Sequence, residues 1–89
     1  MLRDIKSKKY SHDEVGVATL TNGESEVIVT FDKEFSSIDY TPLVNIINDI
    51  DSNPCAFGIL ITRETTQMTV KLSGVVDSTN YKLAWRAVI

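Results

Sequence analysis

Thr41-Pro42-Leu43-Val44-Asn45-Ile46-Ile47-Asn48-Asp49-Ile50 is the stretch on which the fold class turns. Read with a period of 3.6, Leu43, Ile46, Ile47 and Ile50 form an i, i+3, i+4, i+7 stripe. Thr41-Pro42 then supplies an N-cap and a first-turn proline. Read with a period of two, Val44, Ile46 and Ile50 share one face, interrupted by Asn48, and the β-branched content suits a pleated strand. The local signals balance. A helix here makes the domain α+β; a strand makes it all-β. Context decides, because the segments around it are strands, so the stretch is expected to be a strand.

Upstream, Val15-Gly16-Val17-Ala18-Thr19-Leu20 is short and β-branched. Asn22-Gly23 follows, the strongest short turn signal, because both residue types tolerate positive φ. In Ser25 to Phe31, Val27, Val29 and Phe31 share one face, with Ile28 and Thr30 on the other. The two segments are expected to form a hairpin. Asp32 to Asp39 reads as a loop from which Phe35 tucks back into the core.

Downstream, Asp51-Ser52-Asn53-Pro54 is a turn cluster. Ala56 to Thr62 is apolar on both faces and predicts a central strand, with Gly58 marking a bulge or a close backbone approach. Arg63 to Thr66 turns the chain. In Gln67 to Ser73, Met68, Val70 and Leu72 face in, while Gln67, Thr69 and Lys71 face out. Gly74 to Asn80 is a loop. In the last strand Tyr81, Leu83, Trp85 and Ala87 share one face, with Lys82 and Arg86 on the other. Six strands at this spacing predict an all-β fold, a six-stranded antiparallel β-sandwich. Residues 1–14, charged and carrying Lys6, Lys8 and Lys9, are expected to form a flexible N-terminal arm, and residues 15–89 the sandwich.

Eighty-nine residues suffice for about one small domain. Nine Lys and Arg against twelve Asp and Glu give a net charge of −3, which argues against a simple nucleic-acid binder. No apolar run reaches membrane-spanning length, and residues 1–14 lack the apolar core of a signal peptide, so no membrane partner is expected. The single Cys55 cannot pair internally and is expected to act as a small buried hydrophobe. His12 has no second histidine to help it. Asp49 and Asp51 flank Ile50 but supply too few oxygens for calcium. Four scattered glycines make no phosphate loop. No acid–base pair or nucleophile constellation can be assembled, so the chain is expected to be no enzyme and to need no metal or cofactor. Trp85 offers a sugar-stacking face, but its register with Tyr81 and Leu83 favours a core position. Arg63 and Arg86 are expected to be solvated surface residues.

One pattern exceeds what a lone sandwich needs. Phe57, Ile59 and Ile61 occupy one side of the strand at 56–62, and Ala56, Gly58 and Leu60 the other. The last strand adds Ala84 and Val88 opposite Trp85. A second apolar face predicts a covered surface, most simply a homo-oligomer interface. Lys82, Ala84, Arg86 and Val88 are its candidate residues, with Lys82 and Arg86 as pairing groups.

Met68-Thr69-Val70-Lys71-Leu72-Ser73, a loop, and then Tyr81 to Val88 with its W-x-A-type Trp85-Arg86-Ala87 resemble the end of the H-type lectin-like fold. Gly16 to Leu20, the turn at Asn22-Gly23, and Val27 to Phe31 with Phe35 resemble its opening. The resemblance covers about residues 15–89. It implies a six-stranded antiparallel β-sandwich that assembles as a parallel trimer. Similar domains occur in invertebrate and slime-mould lectins and in bacteriophage tail-fibre and receptor-binding proteins. The cysteine-poor chain without a signal looks more like the phage versions. The expectation is therefore a virion structural protein, a homotrimeric module of the tail or host-adsorption apparatus, made in the bacterial cytoplasm. Its basic arm would dock on other virion proteins. The alternative is a carbohydrate-binding module for host cell-surface glycans, with Asp77, Ser78 and Asn80 as candidate ligand residues. Sugar-binding members carry an aromatic residue on the loop before the last strand. Residues 74–80 hold none, so no sugar-binding residue is carried over from the family.

Overall fold

The computed structural model describes residues 10–48, 50 and 57–89. Six strands run in chain order: β1 (Asp13–Thr19), β2 (Glu26–Thr30), β3 (Thr41–Ile47), β4 (Ile59–Arg63), β5 (Gln67–Leu72) and β6 (Lys82–Val88). They form two three-stranded sheets, ordered β1-β6-β3 and β2-β5-β4, and every neighbouring pair is antiparallel. The domain is all-β, a small β-sandwich.

Period-two alternation decides what lies between the sheets. Val27 and Val29 from β2 and Met68, Val70 and Leu72 from β5 are buried. They share one cluster with Leu83 and Ala87 of β6, and with half-buried Ala18, Val44, Ile46 and Trp85 from the first sheet. Phe31, Phe35 and Tyr40 close one side of this core. Phe35 stacks on Tyr40 at 4.5 Å between ring centroids, and Phe31 meets both rings edge-on. Phe35 is the core plug its sequence position suggests.

The fold-deciding stretch is a strand. Val44 and Ile46 point inward while Leu43 and Ile47 point out, which produces apolar residues at both strand and helix spacing. Pro42 lacks an N–H, yet β3 is an edge strand, where that loss is tolerated.

Three expectations need correction. Residues 15–31 are no hairpin: β1 pairs with β6 and β2 with β5, in different sheets. The Glu24 amide does bond the Thr21 carbonyl at 3.0 Å across Asn22-Gly23. Gly23 has φ of 90°, and among the described residues no non-glycine residue has positive φ. Positive φ at the second central residue alone suits a type II turn, whose twist splays the flanking strands instead of pairing them. The chain therefore crosses from one sheet to the other.

The strand at 56–62 is not central. β4 is an edge, and β5 holds the middle. Leu60 points outward and is 64% exposed, so the two apolar sides do not mean double burial.

The arm boundary at residue 14 also lies too far along. Asp13 and Glu14 belong to β1, and the Ser11 and His12 amides donate to the Ile89 carbonyl at 2.8 and 3.2 Å. Backbone pairing with the end of the chain holds these polar residues, and hydrophobicity gives no sign of it. Residues 1–9, Asp49, the turn expected at 51–54, Cys55 and Ala56 lie outside the described residues.

Candidate functional site

The outward face of β1-β6-β3 is built from four cross-strand rows: Asp13–Val88–Thr41, Val15–Arg86–Leu43, Val17–Ala84–Asn45 and Thr19–Lys82–Ile47. Val15 is 74% exposed, Val17 65%, Leu43 52% and Ile47 42%. These apolar flanks stand on either side of the small Ala84 on the central strand. A shallow depression of ≈ 270 Å³ between β3 and β6 is lined by Leu43, Val44, Asn45, Ala84, Trp85 and Arg86. The outward face of the second sheet differs. There Ile28 and Leu60 are dispersed among Glu26, Thr30, Thr62, Gln67, Thr69 and Lys71.

One ion pair sits within the apolar face. Arg86 donates from Nε to Asp13 Oδ1 at 3.0 Å and from Nη2 to Asp13 Oδ2 at 2.7 Å. Its guanidinium carbon lies 5.7 Å from the centroid of the Tyr10 ring. The hydrogen bond from Arg86, aided by its charge, holds the Asp13 carboxyl below the usual carboxylate range, and the same bond raises Arg86. Behind the face, Trp85 packs against the core as expected. Its indole lies across Gly16, its register partner on β1.

Sequence reasoning placed Lys82, Ala84, Arg86 and Val88 together, and the structure sets all four on the outward side of β6. Val88 is already buried within the subunit, however, so it has little surface left to give. Val15, Val17, Leu43, Ile47 and Asp13 were missed as members of this face. The signal existed in the alternation of residues 13–19 and 41–47. The hairpin reading hid it by placing the first segment in the wrong sheet. Arg86 is exposed as expected but paired, and Arg63 donates from Nη1 to the Tyr40 carbonyl at 3.2 Å.

The loop carrying Asp77, Ser78 and Asn80 is anchored at Val76, which is fully buried. Its carbonyl accepts from the Gly23 amide at 2.7 Å, and its amide donates to the Glu24 carbonyl at 2.9 Å. Asp77 points to solvent, while the Ser78 hydroxyl accepts from the Asn80 amide at 3.2 Å.

A second polar cluster lies where β1 meets the loop after β2. His12 and Glu14 contact through Nε2 and Oε2 at 2.9 Å, with their side chains only 13% and 12% exposed. The Asp32 amide donates to the other Glu14 oxygen at 2.8 Å, and the His12 ring stacks on Phe35 at 3.9 Å. Burial pushes the Glu14 carboxyl up. The hydrogen bonds from His12 and Asp32 outweigh that and hold it below its usual range. Among the described residues, no three of His, Cys, Asp and Glu gather into a group suited to a metal ion. Comparison with protein-family models, curated proteins and solved structures finds no match to this chain.

Proposed function

We propose that this chain is a non-enzymatic assembly module that forms a homotrimer by covering the outward face of β1-β6-β3 with copies of itself. One observation carries the reading: Val15, Val17, Leu43 and Ile47 stand 42–74% exposed on a single face. Fully burying one such side chain contributes about 1.5–3 kcal/mol. Covering the exposed part of four contributes roughly 4–6 kcal/mol per subunit. That is enough to matter but modest against the cost of association, so assembly depends on concentration. The trimer, and a place in the tail or host-adsorption apparatus of a bacteriophage beside other virion proteins, rest on the resemblance to the H-type lectin-like fold. The six-stranded sandwich agrees with that resemblance in strand count. The test is absolute mass by light scattering over a concentration series. Mass three times that of the chain is expected, and Val17→Lys should shift it to the monomer. A wild-type chain that stays monomeric at high concentration refutes the reading.

A second reading, binding of cell-surface carbohydrate at residues 74–80, is favoured by the anchoring at Val76, which fixes a polar loop with Asp77 facing solvent. It requires saccharide binding that Asp77→Ala removes, and a flat response to host wall glycans ends it.

A further inference from the structure

We infer that the Asp13–Arg86 pair is what makes the outward face of β1-β6-β3 acceptable to a second copy of this chain; the inference rests on the assembly reading above. Arg86 projects from the central strand, between Val15 and Leu43 in the same row. Any partner that covers Val15 and Leu43 therefore covers Arg86 as well. An uncompensated guanidinium there loses its water without gaining a counter-charge, and a symmetric assembly brings the same cation in from every copy. Asp13 removes both difficulties within the subunit. Its two carboxylate oxygens take Nε and Nη2 at 3.0 and 2.7 Å, and the Tyr10 ring flanks the guanidinium.

This arrangement also identifies the partner. A face made for an acidic partner would present its arginine unneutralised, as the attachment point for that partner's carboxylate. Here the carboxylate comes from the same chain, so the middle of the face carries no net charge while its flanks stay apolar. The surface complementary to it is another neutral apolar face, and a copy of the chain supplies one. Lys82 lies two residues along the strand from Ala84, between Thr19 and Ile47 in the row at the far end of the face from Asp13, so the copy covers the Arg86 and Ala84 rows and leaves the Lys82 row at its solvated rim.

Sedimentation or light scattering over a concentration series at fixed salt tests this with wild type, Asp13→Asn, and Asp13→Asn combined with Arg86→Met. Asp13→Asn leaves the arginine in place without its partner and should weaken self-association by at least about tenfold. The double variant removes both charges and should associate within about threefold of wild type. Because the pair is solvent-exposed in the single subunit, the melting temperature of diluted protein should hardly move. If Asp13→Asn does lower it, the exchange Asp13→Arg/Arg86→Asp, which keeps a pair, is compared with Arg86→Asp alone. Self-association that ignores Asp13→Asn overturns the inference and leaves the assembly reading standing. So does a double variant as weak as the single one. A wild type that never self-associates overturns both.

Discussion

Gly16→Ala is the sharpest test of how the first sheet is packed. A Cβ at Gly16 would stand 2.8 Å from Trp85 Cζ2 and 2.9 Å from both Cε2 and Nε1. Ordinary carbon contacts are about 3.5–4.0 Å, so a rigid indole held by the core must move by most of an ångström. Overpacking of this kind costs about 1–3 kcal/mol. Alanine recovers about 0.4–1 kcal/mol by restricting the unfolded chain. The net expectation is a destabilisation of about 1–2 kcal/mol, or roughly 5–15 °C in melting temperature for a domain of this size. Trp85 is the single tryptophan, so its fluorescence follows urea unfolding directly. Dilute protein keeps assembly out of the measurement. The control is the same substitution in a Trp85→Leu background, where the clash is gone and Gly16→Ala should be neutral or stabilising. An unchanged midpoint in the wild-type background, or an equal penalty in both, would falsify the packing argument.

Further expectations concern the core, the acid cluster and the faces. Tyr40→Phe removes the hydroxyl that donates to the Glu64 carbonyl at 2.8 Å and should cost about 1 kcal/mol in urea unfolding. Burial raises the Tyr40 phenol above its usual 10, so its contribution is full below pH 10 and is lost as pH rises through the folded value. The alkaline loss of melting temperature should therefore be shallower in Tyr40→Phe; equal slopes contradict this. Glu14 is held below its usual 4.5, so its contribution is present above that pH and fades as pH falls through the lowered value. Glu14→Gln should lower the melting temperature at pH 7 by a few degrees, about 1 kcal/mol for a hydrogen-bonded charged group, and flatten the acid limb. A steep limb that survives the substitution removes Glu14 from the account. Ile28→Ser, on the outward face of the second sheet, should leave self-association unchanged where Val17→Lys abolishes it; a shared loss would mean that both faces are covered.

Much of this architecture is legible one strand at a time. Alternation at Val27-Val29-Phe31 and Met68-Val70-Leu72 names the inward faces, because a half-buried strand must separate its two sides. The stretch at 41–47 is harder. Leu43 and Ile47 are apolar yet point outward, so no clean alternation exists there, and the strands around it decide. Pairing is what the chain conceals. Asn22-Gly23 fits a hairpin turn and a sheet-crossing turn equally well until Gly23 is seen to carry positive φ alone. That difference moves Val15 and Val17 from one sheet to the other. The candidate face was read on β6, whose four outward residues were identified together. Its flanks on β1 and β3 follow only from long-range register. The Asp13–Arg86 bond spans 73 positions of sequence, beyond the reach of any local pattern.

The strand order also governs when the domain can come into being. β4 and β5 are the one pair of sequence neighbours that share a sheet; every other link crosses between layers. The central member of the first sheet is the sixth strand, and β1 and β3 have no partner there without it. During synthesis, β2, β4 and β5 can gather while β1 and β3 wait, their apolar residues unprotected, until β6 has left the ribosome. Folding is thus dominated by distant contacts and belongs to the slow, millisecond-to-second class. It must also finish before the β1-β6-β3 surface exists at all. Assembly through that face therefore waits for β6. The interval before closure is when β1 and β3 are most open to pairing with the wrong neighbour.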